Sequence, residues 1–288
     1  MHDLIVLGPF YLAATVLVSL GVAAYLLRSV LSLLTTGRTD DSPIRKLLDR
    51  TATLLLTGAI LAIGFFLALR WMDTGKPPFQ TQFETYLVLA FCIGLTFIVM
   101  ERFYRLPMLG LLSTLGMLLL LLKGIGNRDA EIARLPAALQ SVWFVPHVLV
   151  YFVGYASLAV AAGAGLLYLI RPSSGVSLSR GDEQFRFDMV EIAEKLIRFG
   201  FVFLTLGLLM GAFWAKAAWG DYWTWDPKEN WSLVTWLLYL IYFHLSYSSW
   251  WNKRWGAVLA IAGFAAVMFT YLGMKMLPDD PRSLHLYK

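Results

Sequence analysis

Cysteine is nearly missing from this chain. Cys92 is the only one in 288 residues, and it sits inside an apolar run. A lone thiol excludes an intrachain disulfide, a Cys-x-x-Cys exchange motif and a Cys-x-x-Cys-His site for covalent haem attachment. The protein is therefore neither a thiol oxidoreductase nor itself a c-type cytochrome. Charge is scarce too: 15% of residues are Asp, Glu, Lys or Arg, against 58% hydrophobic. That profile belongs to a polytopic membrane protein, whose solvent is mostly lipid. The net charge of +5 is spread over short segments, which suits orientation in a bilayer better than nucleic-acid binding. A basic n-region is also missing, since His2 and Asp3 follow Met1. The first apolar run is long enough to span, so no cleaved signal peptide is expected.

What the chain does have is apolar runs, at 8–33, 51–70, 85–100, 106–122, 148–170, 199–217, 232–249 and 256–274. About 20 apolar residues cross a bilayer as a helix, because only there are the backbone groups satisfied internally. The expectation is an all-α polytopic membrane protein with about eight transmembrane helices in a single membrane domain, residues 1–288. Alternate connections then lie on opposite sides. The first, third, fifth and seventh hold the larger share of the 24 lysines and arginines, which assigns them to the cytoplasm. Both termini, the loop 123–147 and the loop 218–232 fall outside. The cytoplasmic loop 171–198 contains an amphipathic stretch, Gln184 to Ile197, expected to lie on the membrane surface.

The densest chemistry is in Trp219-Gly220-Asp221-Tyr222-Trp223-Thr224-Trp225-Asp226-Pro227-Lys228-Glu229-Asn230-Trp231. Indole and phenol rings combine large flat areas with a polar edge, so they gather at membrane–water boundaries and against planar ligands. Four tryptophans in one short loop are too many for anchoring alone, and a flat, large ligand is expected. Asp221, Asp226 and Glu229 do not form a calcium loop, because the twelve-residue pattern with its central glycine is absent. Asp226-Pro227 instead reads as the start of a turn or helix. Lys228 and Lys216 suit an anionic ligand group, although a lysine near carboxylates is often a solvated ion pair.

Four histidines remain. His2 receives no role. His147 and His285 fall on the same side as the tryptophan loop. Two imidazoles opposed across an aromatic platform suit six-coordinate haem iron; two unrelated surface histidines are the plain alternative. His244 sits 13 residues beyond Trp231, about 20 Å deeper by helical rise, and an ionisable residue at that depth is costly and usually functional. A hydrogen bond to a neighbouring helix is its alternative reading. Zinc fits less well, since no histidines or cysteines stand at its usual spacings.

The tryptophan-rich stretch, followed by Ser232-Leu233-Val234-Thr235-Trp236 and then His244, closely resembles the "WWD" signature of the CcsA (ResC) family of cytochrome c biogenesis proteins. Ala138-Leu139-Gln140-Ser141 with Trp143 and His147 resembles the family's outer loop before its first external histidine. Tyr271-Leu272-Gly273 with Leu284-His285 resembles the segment around the second. Thr81 before Glu84, Lys275, and the tail Pro278-Asp279-Asp280-Pro281 depart from the family pattern.

The resemblance implies a haem delivery and attachment component of c-type cytochrome maturation, in the inner, plasma or thylakoid membrane. Haem b, the cargo, would cross the membrane and be presented to the Cys-x-x-Cys-His of an apocytochrome c. It would be bound by Trp219, Gly220, Tyr222, Trp223, Trp225, Asp226, Pro227, Lys228, Glu229 and Trp231, with His147, His285 and His244 as axial ligands. The chain would act with a CcsB (ResB)-like partner as part of a holocytochrome c synthase, and a partner helix would supply the second ligand opposite His244. Met210 and Met268 are weaker candidates for that ligand. A b-type cytochrome carrying electrons across the bilayer is the competing class, as is the haem-handling protein of the other bacterial maturation system.

Overall fold

The structure, a computed structural model, describes residues 2–34, 42–104, 106–125, 140–170, 176–180, 183–249 and 251–273. Among these described residues eight helices follow in order: α1 His2–Leu34, α2 Pro43–Thr74, α3 Gln82–Phe103, α4 Pro107–Ile125, α5 Phe144–Ile170, α6 Met189–Trp219, α7 Pro227–Ser246 and α8 Lys253–Leu272. Seven are long and apolar enough to cross a membrane; α7 is the exception among the described residues. Its turns are diluted by tryptophan, tyrosine, serine and threonine, the residues that give it its chemistry. The protein is a multi-pass membrane protein.

The helices fall into two compact units, one holding α1–α4 and the other α5–α8. The stretch Gln184–Ile197 is not a separate surface helix. Its first residues belong to a two-stranded hairpin, β1 Val176–Arg180 with β2 Glu183–Phe187, and from Met189 onward it is the opening of α6. Asp188 and Glu191 form a capping box there, satisfying the first orphan amides of the helix, so α6 starts well before its apolar run. Finally, α7 ends at Ser246, which puts His244 in its last turn.

In the first unit, Tyr11, Phe66 and Phe83 pack ring against ring, with centroids 5.5–6.1 Å apart. The Tyr25 and Thr53 hydroxyls both donate to Glu101, at 2.8 and 2.9 Å. At the start of α3, Thr81 and Glu84 form a capping box. Glu84 also accepts from Arg70 Nε at 2.5 Å and from the Gln80 amide at 2.8 Å.

The second unit relies on small residues where backbones approach, the usual device when lipid removes the hydrophobic drive between helices. A methyl at Gly154 would stand 3.1 Å from the Gly200 carbonyl, and one at Gly165 would stand 3.0 Å from the Ala257 carbonyl. Ser157 donates to the Leu196 carbonyl at 2.8 Å, joining α5 to α6. The Thr235 and Thr270 hydroxyls, 3.0 Å apart, join α7 to α8. Lys253 bridges Asp188 and Glu191 at 3.1 and 3.0 Å, tying the start of α8 to the start of α6.

Candidate functional site

His147 lies inside the first turn of α5, not in the loop before it. Its Nδ1 is 2.9 Å from the Gly207 carbonyl of α6. A carbonyl oxygen only accepts, so Nδ1 carries the proton and the lone pair is on Nε2, the tautomer of a metal-ligating imidazole. Gly211 makes this contact possible: a methyl there would stand 2.8 Å from His147 Cε1. The ring also packs edge-on against Tyr151 at 4.9 Å and tilted against Trp214 at 5.4 Å.

Trp214 connects the histidine to the tryptophan motif. It lies 5.1 Å from Trp219 and 5.7 Å from Phe144. Beside it, Trp143 stacks on Phe213 at 5.1 Å, and Phe213 meets Tyr222 edge-on at 6.1 Å. Sequence reasoning missed Trp214, Gly207 and Gly211. Their signal was the small-residue spacing Gly207, Gly211 followed by Trp214, one helical face ahead of the motif.

The motif divides between a loop and a helix start. Gly220 caps α6 in the left-handed region at φ 95°, the usual glycine C-cap. Residues Pro227 to Trp231 are the first turns of α7, with proline at the helix start, where its missing amide costs nothing. Asp226 accepts from the Lys228 amide at 2.8 Å. Glu229 Oε2 gathers three donors: the Thr224 amide at 2.7 Å, the Thr224 hydroxyl at 3.2 Å and the Asp226 amide at 3.2 Å. Both carboxylates are buried, and these contacts make them the scaffold of the loop. The Asn230 side chain donates to the Trp225 carbonyl at 2.9 Å, which helps hold Trp225 at φ 59°, a region most side chains avoid.

That scaffold sorts the rings. Trp231 packs on Phe269 of α8 at 4.3 Å, and Trp219 packs on Trp214 of α6. Trp225 and Tyr222 are exposed, at 69% and 53%, with Trp223 edge-on to Trp225 at 6.0 Å. The presented surface is therefore Tyr222, Trp223 and Trp225. The Lys216 ammonium bonds the Gly220 carbonyl and sits over the Tyr222 ring. Burial pushes the Lys228 ammonium below the usual lysine range, with Asp226 opposing the shift.

His244 is exposed on α7, with Nδ1 3.1 Å from the Leu240 carbonyl. A carbonyl partner again puts the proton on Nδ1 and leaves the lone pair on Nε2. His285 lies outside the described residues.

Residues 48–279 match the family model described as "Cytochrome C assembly protein". The chain belongs to the cytochrome c assembly protein family. It is 33% identical to the cytochrome c biogenesis protein CcsA of Chlamydomonas reinhardtii over 79% of this chain and 65% of that protein. The CcsA of Chlorella vulgaris is 31% identical, over 81% and 85%. That of Synechococcus sp. (strain CC9902) is 30% identical, over 94% and 95%. Among solved structures, cytochrome c heme lyase CcmF shares the fold, with a TM-score of 0.64 at 21% identity. The match covers 94% of this chain and about half, 48%, of that one. The chain is thus a component of cytochrome c maturation, and the reading as an electron-carrying b-type cytochrome is not favoured.

Proposed function

We propose that this chain receives haem b as cargo, carries it across the membrane and presents it outside to the Cys-x-x-Cys-His of an apocytochrome c, as one subunit of a holocytochrome c synthase. The observation that carries the reading is the His147 site. Its proton is committed to the Gly207 carbonyl and its ring stands beside Trp214, next to the tryptophan loop. His285, assigned on the family resemblance, supplies the opposite imidazole. Tyr222, Trp223 and Trp225 give a flat van der Waals surface for the porphyrin. Lys228 meets a propionate, and a carboxylate placed there offsets the cost of its buried charge.

The haem contributes the electrophilic vinyl groups to which the apocytochrome thiols add. The chain's part is to bind, orient and protect. Two imidazoles on the iron close both axial positions until the substrate histidine displaces one. The inner site uses His244, whose exposed ring on α7 suits a second ligand from a CcsB-like partner helix.

The test is His147→Gly and His285→Gly, each assayed for haem retention and cytochrome maturation with and without free imidazole. Each replacement should abolish most of the retained haem, and imidazole should restore part of it. Wild-type maturation in both variants would overturn the ligand assignment.

A further inference from the structure

The face that carries His244 is built from two helices. Along the seam between them, Trp236 of α7 donates to Thr205 of α6 at 2.9 Å, and Phe201 packs on Trp236 and Phe243. At the inner end of the seam, Arg198 meets Tyr247. At about 100° per residue in an antiparallel pair, both helices expose residues on the same side of this seam. Those residues are Arg198, Val202 and Leu206 on α6, and Ile241 and His244 on α7 with Tyr247 at its C-cap. The surface is apolar except for one imidazole and, one turn further in, a guanidinium beside a phenol.

The guanidinium is held but not used up. Glu194 Oε1 accepts from Arg198 Nε at 3.2 Å and from Nη2 at 2.6 Å. Arginine has five N–H donors in a planar fork, so with two on Glu194 and one toward Tyr247 part of the fork remains for another acceptor, and the side chain is 51% exposed. The acceptor that matches this geometry is a carboxylate, bound by parallel charge-assisted hydrogen bonds. The exposed Lys195, three residues earlier on α6, adds a second positive charge at this rim. Tyr247 is one turn from His244, about 4.5 Å of rise, and a porphyrin with its iron on Nε2 is wider than that step.

We propose that Arg198 is the propionate anchor of haem held at His244. This rests on the inner-site reading above and deepens it. Arg198 fixes which edge of the porphyrin faces the membrane surface, and so the orientation in which the vinyl edge travels outward. An i,i+4 pair at this exposure adds little to folding, so its removal should change cargo binding far more than stability.

The experiment uses the full chain with its partner protein, with His147→Gly in every sample so that outer haem does not contribute. Arg198→Gln, Arg198→Lys and His244→Ala are each loaded with haem or with haem dimethyl ester, which keeps the iron and loses the carboxylates. Soret absorbance per chain and thermal unfolding are read together. Arg198→Gln should weaken haem retention about tenfold, equivalent to ~1.4 kcal/mol, with unchanged unfolding. Arg198→Lys should fall between, and the ester should bind the wild-type and Arg198→Gln proteins alike. Equal loss of haem and ester in Arg198→Gln, or loss of neither, overturns the anchor even where His244→Ala removes the signal. Retained haem in His244→Ala overturns the inner site itself.

Discussion

Helices α3 and α7 begin with the same device in two different units. Thr81 and Glu84 cap α3, Asp226 and Glu229 cap α7, and each glutamate reaches back to the amide of its own cap residue. The glutamates then diverge. Both Glu84 oxygens are committed, Oε1 to Arg70 and Oε2 to the Gln80 and Thr81 amides. Glu229 spends Oε2 on three donors from a loop, and among the described residues it makes no ion pair and its buried Oε1 has no hydrogen bond. One carboxylate fastens a helix to its neighbour; the other bends a loop so that its rings face outward. The local code is the same, and the difference lies in what precedes the cap: Lys76-Pro77-Pro78 for α3, a run of indoles for α7.

Breaking the fastener should have the largest effect. The Glu84 side chain is 3% exposed and that of Arg70 14%. Glu84→Ala leaves a buried guanidinium uncompensated, which costs about 3–5 kcal/mol. Thermal unfolding in detergent should drop sharply, and adding Arg70→Met should recover much of the loss. A single variant as stable as wild type would mean that the pair does not hold α2 to α3.

The equivalent change in the second unit should spare the fold and reach the cargo. Glu229→Gln removes charge from three hydrogen bonds without stranding a cation. Charge-assisted bonds are roughly twice as strong as neutral ones, so about 1–3 kcal/mol is lost within the loop. Unfolding should shift modestly while retained outer haem falls. A fall in unfolding temperature as large as that of Glu84→Ala, with haem unaffected, would erase the distinction between the two glutamates.

The two units were unequally legible in the sequence. Eight helices could be read because apolar runs in lipid have little choice but to be helical. Their ends could not, because caps such as Asp188 with Glu191 extend a helix beyond its apolar run. The hairpin from Val176 to Phe187 was missed, although Gly181-Asp182 between two alternating runs is a turn signal. At the site, the tryptophan motif and His147 stood out by composition. The partner of His147 did not, because it is a backbone carbonyl, Gly207, brought near by packing against Gly211. The role of Glu229 as scaffold was also hidden, since a carboxylate among tryptophans reads equally well as a ligand contact.

The smallest effect should come from Trp225, and its value lies in separating strain from recognition. The residue holds φ 59°, where a non-glycine side chain carries about 1 kcal/mol of strain. Asparagine tolerates that region better. Trp225→Asn should therefore leave stability unchanged or raise it by up to ~1 kcal/mol, since a ring that is 69% exposed buries little, while retained haem falls. Trp225→Phe keeps a ring face and the strain, so it should hold most of the haem at wild-type stability. The two variants then move stability and haem content in opposite order, as expected of a loop held open for a flat ligand. If Trp225→Asn instead lowers stability and leaves haem intact, the Trp225 ring is a packing element like Trp231, and the glutamate scaffold beneath it serves the fold alone.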